Sequence, residues 1–455
     1  MTSTHIAAIP TGFEGDVLTP DGPGYDDART VFNAMVDRRP AVIAQCRSDA
    51  DVQRAVRMAR AHGTEIAVRC GGHDVAGNAL SDGGLVIDLR RMDDVEVDQE
   101  AMTVRVGGGA TTSALDRATQ PYGLMTPGSR ASTTGVGGFT LGGGSGWLER
   151  KYGLACDNLL EAELVTAAGE KVKAGEDRNP DLFWALHGGG GNFGVVTSFT
   201  FRLHELPEVT LALLLWPAEA GEEIALAYRD LMETAPDELG GTALYLTPPR
   251  EEFVPEEMLG RQAFATLLAY AGTGPDADAA IAPMLGLGHT GGVVLDRPYA
   301  DMQGMLDEPA GLRNHWSAEH LHDCPDAAVA AYSARAAGMI VPSPSLHTLI
   351  PGGGALADPG ARYPVPWRNA AWTVHPIALW EDAADDERAI AWVRAVRADM
   401  KPYSTGDVYL NFIGDEGRGR VEAGFGAENH RRLAEVKARY DPGNLFHLNQ
   451  NIRPA

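Results

Sequence analysis

A short polar segment between two apolar runs carries the residues best suited to chemistry. Residues 69–74 are Arg-Cys-Gly-Gly-His-Asp, and they follow the apolar run 65–68 and precede a second one, 85–89. Two such runs predict strands, and paired glycines let a backbone come close to a flat or phosphorylated group, with the His73 imidazole aimed at it. A histidine beside glycines is also a common turn residue. The hexapeptide alone therefore leaves a cofactor site and a plain turn both open.

The densest glycine tract of the chain runs from Thr134 to Gly146. Glycines at this density expose backbone N–H groups that can cradle a pyrophosphate with no Cβ in the way. A flexible linker is the alternative, but linkers are polar. Four residues in or next to this tract are large and apolar: Val136, Phe139, Leu141 and Trp147. The tract is therefore interpreted as the wall of a pocket for a phosphate and a flat cofactor ring.

A second glycine string, residues 189–194, formally spells G-x-G-x-x-G. In a dinucleotide-binding Rossmann unit this string follows a strand and opens a helix. Here a helical pattern, 181–186, precedes it and a strand pattern, 195–201, follows it. The reversed context argues against NAD binding by a Rossmann fold.

Local patterns predict the elements that position the first segment. Residues 41–46 and 65–68 are predicted to be strands, and Ser48 is suited to cap a helix that ends near Gly63. The strand 65–68 leads into the turn that carries His73. A β-α-β arrangement of this kind, followed by hairpins, indicates an α+β cofactor domain.

The sequence pattern changes near Pro207. Before it, residues 95–106 predict a hairpin and residues 111–122 a helix. From about 206 to 405, strand patterns alternate with acidic amphipathic helices and Pro/Gly-rich loops, which predicts a second domain facing the first. The last fifty residues return to a dense polar and aromatic pattern.

Composition limits the function classes. The 455 residues allow two or three folding units, and the formal net charge of -24 argues against nucleic acid or an anionic membrane as a partner. Four scattered cysteines form no C-x-x-C pair, which predicts neither a zinc site nor a disulfide framework. Residues 1–6 show no secretory pattern, and the longest apolar run, 210–217, is too short to span a bilayer. The expected location is the cytoplasm, and no metal site is expected.

In chain order, the motifs resemble those of the FAD-linked oxidases of the vanillyl-alcohol-oxidase and berberine-bridge-enzyme type. The matching segments are Arg69-x-Gly71-Gly72-His73, Gly135-x-Gly137-Gly138-x-x-x-Gly142-Gly143-Gly144, Arg150-Lys151-Tyr152-Gly153-Leu154-x-x-Asp157-Asn158, Asp181-Leu182-Phe183-Trp184-Ala185, Gly188-Gly189-Gly190-Gly191-Asn192-Phe193-Gly194, Tyr409-x-Asn411 and Lys437-x-x-Tyr440-Asp441-Pro442-x-Asn444-x-Phe446-x-x-Asn449-Gln450. Several ordered motifs over most of the chain are far more specific than any one of them.

The resemblance implies a two-domain α+β fold of the PCMH-type FAD-binding class. Residues 1–205 would form the FAD-binding domain, and residues 406–455 would return to it. Residues 206–405 would form the substrate domain, an antiparallel sheet covered by helices. The substrate is then expected between the two domains.

The resemblance also implies that His73 carries a covalent 8α-histidyl bond to FAD. Asp74 would polarise the imidazole or cap the turn. Relatives with two covalent bonds have a cysteine where this chain has Ala131, so a single bond is expected, and Cys156 is interpreted as a buried structural thiol. The other residues expected at FAD are Arg69, Cys70, Gly71, Gly72, Thr134, Gly135, Gly137, Gly138, Gly142, Gly143, Gly144, Asp157, Asn158, Gly194, Val195, Val196, Tyr409, Asn411 and Asn449.

Four residues are candidates for the reaction itself. Thr134 resembles a position beside the flavin N5, where it would bind N5 or O₂, although a threonine opening a glycine loop is ordinary turn chemistry. Tyr409 begins the Y-x-N-[YF] motif, whose second aromatic is Phe412 here and takes no proton. His347 and Tyr245 lie on predicted substrate-domain strands. The last three are equally explained as core aromatics or a satisfied buried histidine.

The expected activity is transfer of a hydride from a C–H bond next to oxygen or nitrogen to flavin N5, with O₂ as the reoxidant and hydrogen peroxide as the product. One alternative is an oxygenating or rearranging flavoenzyme of natural-product biosynthesis, and another is a flavin-binding protein without turnover. A saccharide, polyketide, alkaloid or phenol would each be possible as substrate, with a preference for neutral or cationic compounds. Oligomeric state is left open.

Overall fold

The first sheet is small and mixed. The computed structural model describes residues 12–305, 307, 309–358, 360 and 362–455, so the N-terminal segment 1–6 assessed above lies outside the described residues. The strands of this sheet are β1 (Asp16–Leu18), β2 (Val42–Gln45), β3 (Ile66–Arg69) and β4 (Leu85–Asp88). Their order is β1-β2-β4-β3, in which β4 is parallel to both β2 and β3.

A second sheet follows it in the chain. The next strands are β5 (Val95–Asp98), β6 (Thr103–Gly107), β7 (Leu124–Met125), β8 (Leu159–Val165), β9 (Lys171–Gly175), β10 (Val195–Arg202) and β11 (His204–Glu205). The sheet is antiparallel with the order β5-β6-β10-β8-β9, while β7 and β11 pair separately. The predicted hairpin corresponds to β5 and β6.

The largest sheet is entirely antiparallel. Its strands are β12 (Val209–Pro217), β13 (Leu239–Leu246), β14 (Ala263–Tyr270), β15 (Gly291–Arg297), β16 (Arg313–Trp316), β17 (Glu319–Leu321), β18 (Leu346–Pro351) and β19 (Trp372–Trp380). The order is β15-β12-β14-β13-β18-β19-β16, and β17 also pairs with β19. No strand of this sheet comes from before residue 209 or after residue 380 in the described part of the chain.

The helices are α1 (Tyr25–Ala28), α2 (Asp49–His62), α3 (Thr112–Thr119), α4 (Val136–Leu141), α5 (Glu149–Tyr152), α6 (Pro180–Ala185), α7 (Gly221–Thr234), α8 (Pro275–Leu285), α9 (Tyr299–Gln303), α10 (Asp326–Ala336), α11 (Asp386–Met400), α12 (Arg418–Phe425) and α13 (Ala427–Tyr440). Helix α2 has the predicted ends, because the Ser48 side chain accepts from the Asp51 N–H and Gly63 closes the helix at φ 62°. Its apolar face packs on the first sheet through Val52, Val56 and Ala59.

The two faces of the large sheet have different partners. Helices α7, α10 and α11 cover one face and form a core with the inward side chains of β13, β18 and β19. Successive side chains of a strand point to opposite faces, so alternate residues of the same strands face away from these helices. This second face looks toward three glycine-rich loops, 70–74, 134–142 and 188–194.

The architecture is a two-domain α+β fold, as predicted, with helices on one side of an antiparallel sheet. Helix α6 precedes the string 189–194 and strand β10 follows it, which confirms the reversed context that argued against a Rossmann unit. The domain boundaries at residues 205 and 405 stay a prediction. Among the described residues, the structure contains no helix that combines the length and the apolar character needed to cross a bilayer.

Candidate active site

A cavity of about 360 Å³ lies between the glycine-rich loops and the open face of the large sheet. One wall is formed by residues 70–74, 134–142 and 188–194, and the opposite wall by side chains of β13, β16, β18 and β19. Residues 409–412 and 446–450 close it from the C-terminal end. The cavity therefore joins the two domains, where ligand sites are common.

The glycines of these three loops serve two different purposes. Gly71 and Gly135 lie back to back, because a Cβ on Gly71 would stand 2.4 Å from the backbone N of Gly135. A Cβ on Gly142 would stand 2.2 Å from the Asn411 side chain. These glycines allow the loops to approach one another. Gly138 and Gly191 also line the cavity, yet a Cβ on either meets nothing within 4 Å in the described part of the chain. Only the second kind leaves backbone open to a ligand, and this cradle fits a cofactor that binds through phosphates.

Replacing Gly138 by alanine is expected to lower FAD content without harming the fold. Gly138 lies within α4, where alanine is the better helix former, so the melting temperature should hold or rise. A methyl group forced into occupied space costs about 1–3 kcal/mol, or about ten-fold or more in affinity. FAD per chain after purification is the measurement. Gly419→Ala is the matched control, because Gly419 is also helical with open space at Cβ but does not line the cavity; equal FAD content in the two variants would contradict the assignment.

His73 sits at one end of the cavity on a tight turn. Gly72 before it has φ 80°, a value that favours glycine. The imidazole stacks on Phe32 with ring centroids 4.3 Å apart, and its Nε2 lies 2.8 Å from the Thr133 hydroxyl. Burial lowers the pKa of His73 to about 4, against a smaller opposing effect of Asp307. The imidazole is therefore neutral at physiological pH, the state in which its nitrogen is nucleophilic.

The residues beside His73 have structural partners. Asp74 accepts the backbone N–H groups of Ala76 and Asn78, each at 3.0 Å, so it caps the turn. Arg69 does not line the cavity, because its guanidinium donates to the carbonyls of Ala28 and Thr30. Burial raises the pKa of the Cys70 thiol to about 11, which leaves it protonated near neutrality.

The cysteine assignments can be placed as well. Ala131 lines the same cavity as His73, and it is the residue at which the resemblance would require a thiol for a second covalent bond. Cys156 is fully buried, does not line the cavity, and has its thiol pKa raised by burial. These placements support a single attachment point, which stays a prediction.

The structure brings most of the predicted cofactor residues together at the cavity and leaves others outside it. The predicted residues that line it, besides His73 and Asp74, are Cys70, Gly71, Gly72, Thr134, Gly135, Gly137, Gly138, Gly142, Gly194, Val196, Tyr409, Asn411 and Asn449. The predicted residues that do not line it, besides Arg69, are Gly143, Gly144, Asp157, Asn158 and Val195. Asp157 instead forms a bidentate ion pair with Arg368 at 2.9 and 2.8 Å, which ties the loop before β8 to the substrate domain.

Tyr409 lines the cavity but its hydroxyl is committed to the glycine tract. The hydroxyl oxygen accepts the backbone N–H groups of Gly144 and Ser145 and the Asn411 amide, all at 3.1 Å. Burial raises the pKa of Tyr409 to about 12, so the phenol keeps its proton near neutrality. The His320 imidazole accepts the Tyr409 backbone N–H at 3.0 Å and holds this segment in place. Tyr409 thus shapes the site and is poorly suited to be its base.

His347 and Tyr245 lie on the wrong face of the sheet for the role predicted for them. On β18 the side chains of Leu346, Thr348 and Ile350 line the cavity, so His347 between them points to the helices. Its Nε2 lies 3.0 Å from the Tyr332 carbonyl, and its ring packs beside Tyr332. Tyr245 packs in the same helix-facing core. The assignment of these two residues as catalytic is corrected on this geometry.

His375 is the histidine that faces the cavity, and the sequence analysis missed it. It lies on β19, and its Nδ1 is 2.8 Å from the Ser317 carbonyl, which assigns the proton to Nδ1. The other nitrogen, Nε2, has no hydrogen-bond partner in the described part of the chain and is left as an acceptor. Burial lowers the pKa of His375 to about 4, against a smaller opposing effect of the hydrogen bond to the Ser317 carbonyl. A neutral imidazole with a fixed tautomer is suited to accept a proton or a hydrogen bond.

Half-buried ion pairs support the residue whose carbonyl fixes His375. The Ser317 hydroxyl donates to Glu416, and Glu416 pairs with Arg397 at 2.7 Å and Arg420 at 3.1 Å. Phe412 stacks on the other side, with its ring centroid 4.0 Å from that of His375 and the two planes 5° apart. The imidazole is therefore held by a hydrogen bond at one edge and by an aromatic ring on one face. The sequence did contain one signal for this histidine: residue 375 is the only ionisable position of the apolar strand 372–380.

The two remaining wall elements are Thr134 and the C-terminal segment. The Thr134 hydroxyl accepts from the Ser129 hydroxyl at 3.1 Å, so its own proton is free to be donated.

Lys437 is fully buried and its ammonium donates to Asp441, the Asn192 carbonyl and the Phe446 carbonyl at 2.7–2.8 Å. This lysine joins the C-terminal helix to the loop 188–194. The motif from Lys437 onward therefore acts by holding a cavity wall in place.

Two family models match the chain. The model described as "FAD binding domain" matches residues 40–175, and the model described as "Berberine and berberine like" matches residues 408–453. Both segments contribute to the cavity walls. The open glycine backbones of the cavity and the match to an FAD-binding family model therefore both indicate FAD.

Full-length relatives are similar in sequence and in structure. The chain is 32% identical to the (R)-6-hydroxynicotine oxidase of Paenarthrobacter nicotinovorans, over 98% of each chain. The crystal structure of 6-hydroxy-D-nicotine oxidase from Arthrobacter nicotinovorans superposes with a TM-score of 0.87 at 29% identity, covering 99% of this chain and 100% of that one. A chitooligosaccharide oxidase shares the fold, with a TM-score of 0.86, 20% identity and full coverage of both chains.

Proposed function

The chain belongs to the FAD-linked oxidoreductases of the vanillyl-alcohol-oxidase and berberine-bridge-enzyme type, and from that membership we propose the reaction that its cavity carries out. The protein is an FAD-dependent oxidase with the PCMH-type fold, acting on a C–H bond next to oxygen or nitrogen in a small organic substrate. The observation that carries this proposal is the pairing, across one cavity, of open glycine backbones on the cofactor wall with the free Nε2 of His375 on the sheet wall. We place the protein in the cytoplasm.

The cofactor would be held by residues of both ends of the chain. Gly138 and Gly191 offer open backbone, and His73 offers a neutral imidazole at one end of the cavity. Bound FAD would supply a hydride acceptor and, once reduced, would pass its electrons to O₂ to give hydrogen peroxide. We propose that His73 carries the cofactor covalently and that it is the single attachment point.

The substrate would lie against the sheet wall with its heteroatom near His375. The Ser317 carbonyl holds the Nδ1 proton, so Nε2 presents its lone pair to the substrate O–H or N–H. Accepting that proton as the adjacent C–H loses its hydride is the role of a general base. Thr134 on the opposite wall has a free hydroxyl proton, suited to orient the reacting partners from the cofactor side.

Two measurements on the purified protein test this function. A compound that the enzyme oxidises should bleach the flavin absorbance without oxygen, and admission of air should restore the colour with about one hydrogen peroxide per product. A reduced enzyme that stays reduced in air for minutes would contradict the oxidase. Oxygen from isotopically labelled O₂ in the product would assign the oxygenating alternative, and a flavin that no compound in a broad screen reduces would favour a protein without turnover.

A further inference from the structure

We propose that the substrate is a planar, uncharged ring compound that carries one O–H or N–H donor, and that saccharides and organic anions are excluded. This inference rests on the proposed function, since it concerns the same cavity. The fold does not decide the matter, because the oxidases that superpose on this chain are named for substrates as different as a nicotine derivative and chitooligosaccharides. The side chains that line the sheet wall decide it.

The cavity offers no free charge. Of its lining side chains in the described part of the chain, only Asp74 and Arg130 are of a permanently charged type. The Asp74 carboxylate accepts hydrogen bonds from the backbone N–H groups of its own turn. Arg130 donates to Glu149 at 2.9 Å and to Ser145 at 2.7 Å, so its charge is paired behind the wall. An ionic substrate would lose its hydration with no counter-charge, which is strongly unfavourable.

The sheet wall presents no accessible free hydrogen-bond donor among the described residues, because the unpartnered Nε1 of Trp316 is buried away from the cavity. Thr242 and Thr348 are its two hydroxyl residues, and both donate to backbone carbonyls, Thr242 to Leu349 at 3.2 Å and Thr348 to His375 at 3.0 Å. The remaining sheet residues at the cavity, apart from His375, are Leu244, Trp316, Leu346, Ile350 and Ile377. A sugar would bury several hydroxyls here without partners, at a cost of about 1–3 kcal/mol each. A ring compound with a single donor buries one polar group, and His375 Nε2 can accept from it.

The shape of the wall favours a flat ring. Trp316 stands edge-on to the His375 ring, with centroids 6.3 Å apart and planes 71° apart. Phe412 covers one face of the same imidazole. Aromatic side chains arranged in this way accept another ring in stacked or edge-to-face contact. His375 Nε2, the acceptor beside these aromatic rings, then selects rings that carry a donor.

Equilibrium binding to the FAD-loaded enzyme tests the inference without turnover. Indole and benzothiophene are matched flat rings, and only indole has an N–H donor. Titration followed by the flavin absorbance and by calorimetry should show indole binding about ten-fold more tightly than benzothiophene, the cost of an unpaired acceptor. Cellobiose and benzoate should bind at least a hundred-fold more weakly than indole.

The variant His375→Phe keeps a flat ring and removes the acceptor. The preference for indole over benzothiophene should disappear in it, while both rings still bind. Equal or tighter binding of cellobiose or benzoate by the wild type, no binding of indole at millimolar concentration, or an unchanged preference in the variant would each overturn the inference. A screen that finds no oxidised compound while indole binds as expected would count against the proposed function and leave the ligand class standing.

Discussion

Replacing His73 by alanine is expected to abolish covalent flavin. Wild-type protein precipitated with acid should stay yellow and carry one FAD mass on the peptide that contains His73, whereas the variant should precipitate colourless. The physical reason is that His73 is the one cavity-lining side chain of the turn that is both neutral and nucleophilic near pH 7, because burial lowers its pKa to about 4. Turnover should also fall, since the covalent link raises the potential of the flavin.

The neighbouring cysteine provides the matched control. Cys70 lies in the same loop and lines the same cavity, but its thiol stays protonated because burial raises its pKa to about 11. Cys70→Ala should therefore keep full attachment. His73→Ala should still hold FAD under native conditions, since the open backbones at Gly138 and Gly191 are unchanged. Flavin found on a peptide that contains Cys70 or Cys156 would contradict the single histidyl attachment.

Elements set by local sequence were predictable. Helix α2 begins at the Ser48 cap and ends at Gly63, and β5 and β6 pair as the hairpin that the alternation of residues 95–106 indicates. In each case the deciding contacts lie within the element or in the adjacent turn. A glycine wall was predictable from composition, because dense glycine interleaved with large apolar residues has few other uses.

The face of a buried strand was not predictable. Strand β18 is apolar on both sides, so the sequence does not say whether His347 or Thr348 points to the cavity. The answer depends on α10 and α11, which cover the face that holds His347. The same ambiguity hid His375, since every residue of β19 is buried. Tertiary packing, and not the strand pattern, distinguishes a histidine at the cavity from a histidine in the core here.

The glycine tract shows a related limit. Its composition predicted backbone open to phosphate, yet Gly135 of the tract packs against Gly71 of the neighbouring loop and is closed to a ligand. Which glycine faces a ligand and which faces another loop depends on distant segments, such as the Asn411 side chain against Gly142. Helix α4 lies in the centre of this glycine tract. The tract can be helical there and still face a cofactor, because Gly138 has no Cβ to stand between the backbone and the ligand.

His375→Gln is expected to lower kcat by about 10²–10⁴-fold, the usual contribution of a general base. The wild-type kcat/KM should be flat from about pH 5 to 8 and fall as the pH drops through about 4, because a base must be neutral and burial lowers the pKa of His375 to about 4. An unperturbed histidine would place that acid limb near pH 6.5 instead. In His375→Gln the limb should be absent, and FAD content should be unchanged, because His375 belongs to the sheet wall.

The matched control is the histidine first predicted for this role. His347 lies on the adjacent strand, is equally buried and also has its pKa lowered by burial, but its ring faces the helices. His347→Gln should therefore lower the melting temperature and leave the acid limb and the rate of flavin reduction within about two-fold of wild type, since a buried imidazole contributes to packing and not to proton transfer. A loss of the acid limb in His347→Gln, with His375→Gln retaining it, would return the base to β18. Loss in His375→Gln alone assigns proton transfer to the face of the sheet that looks toward the flavin.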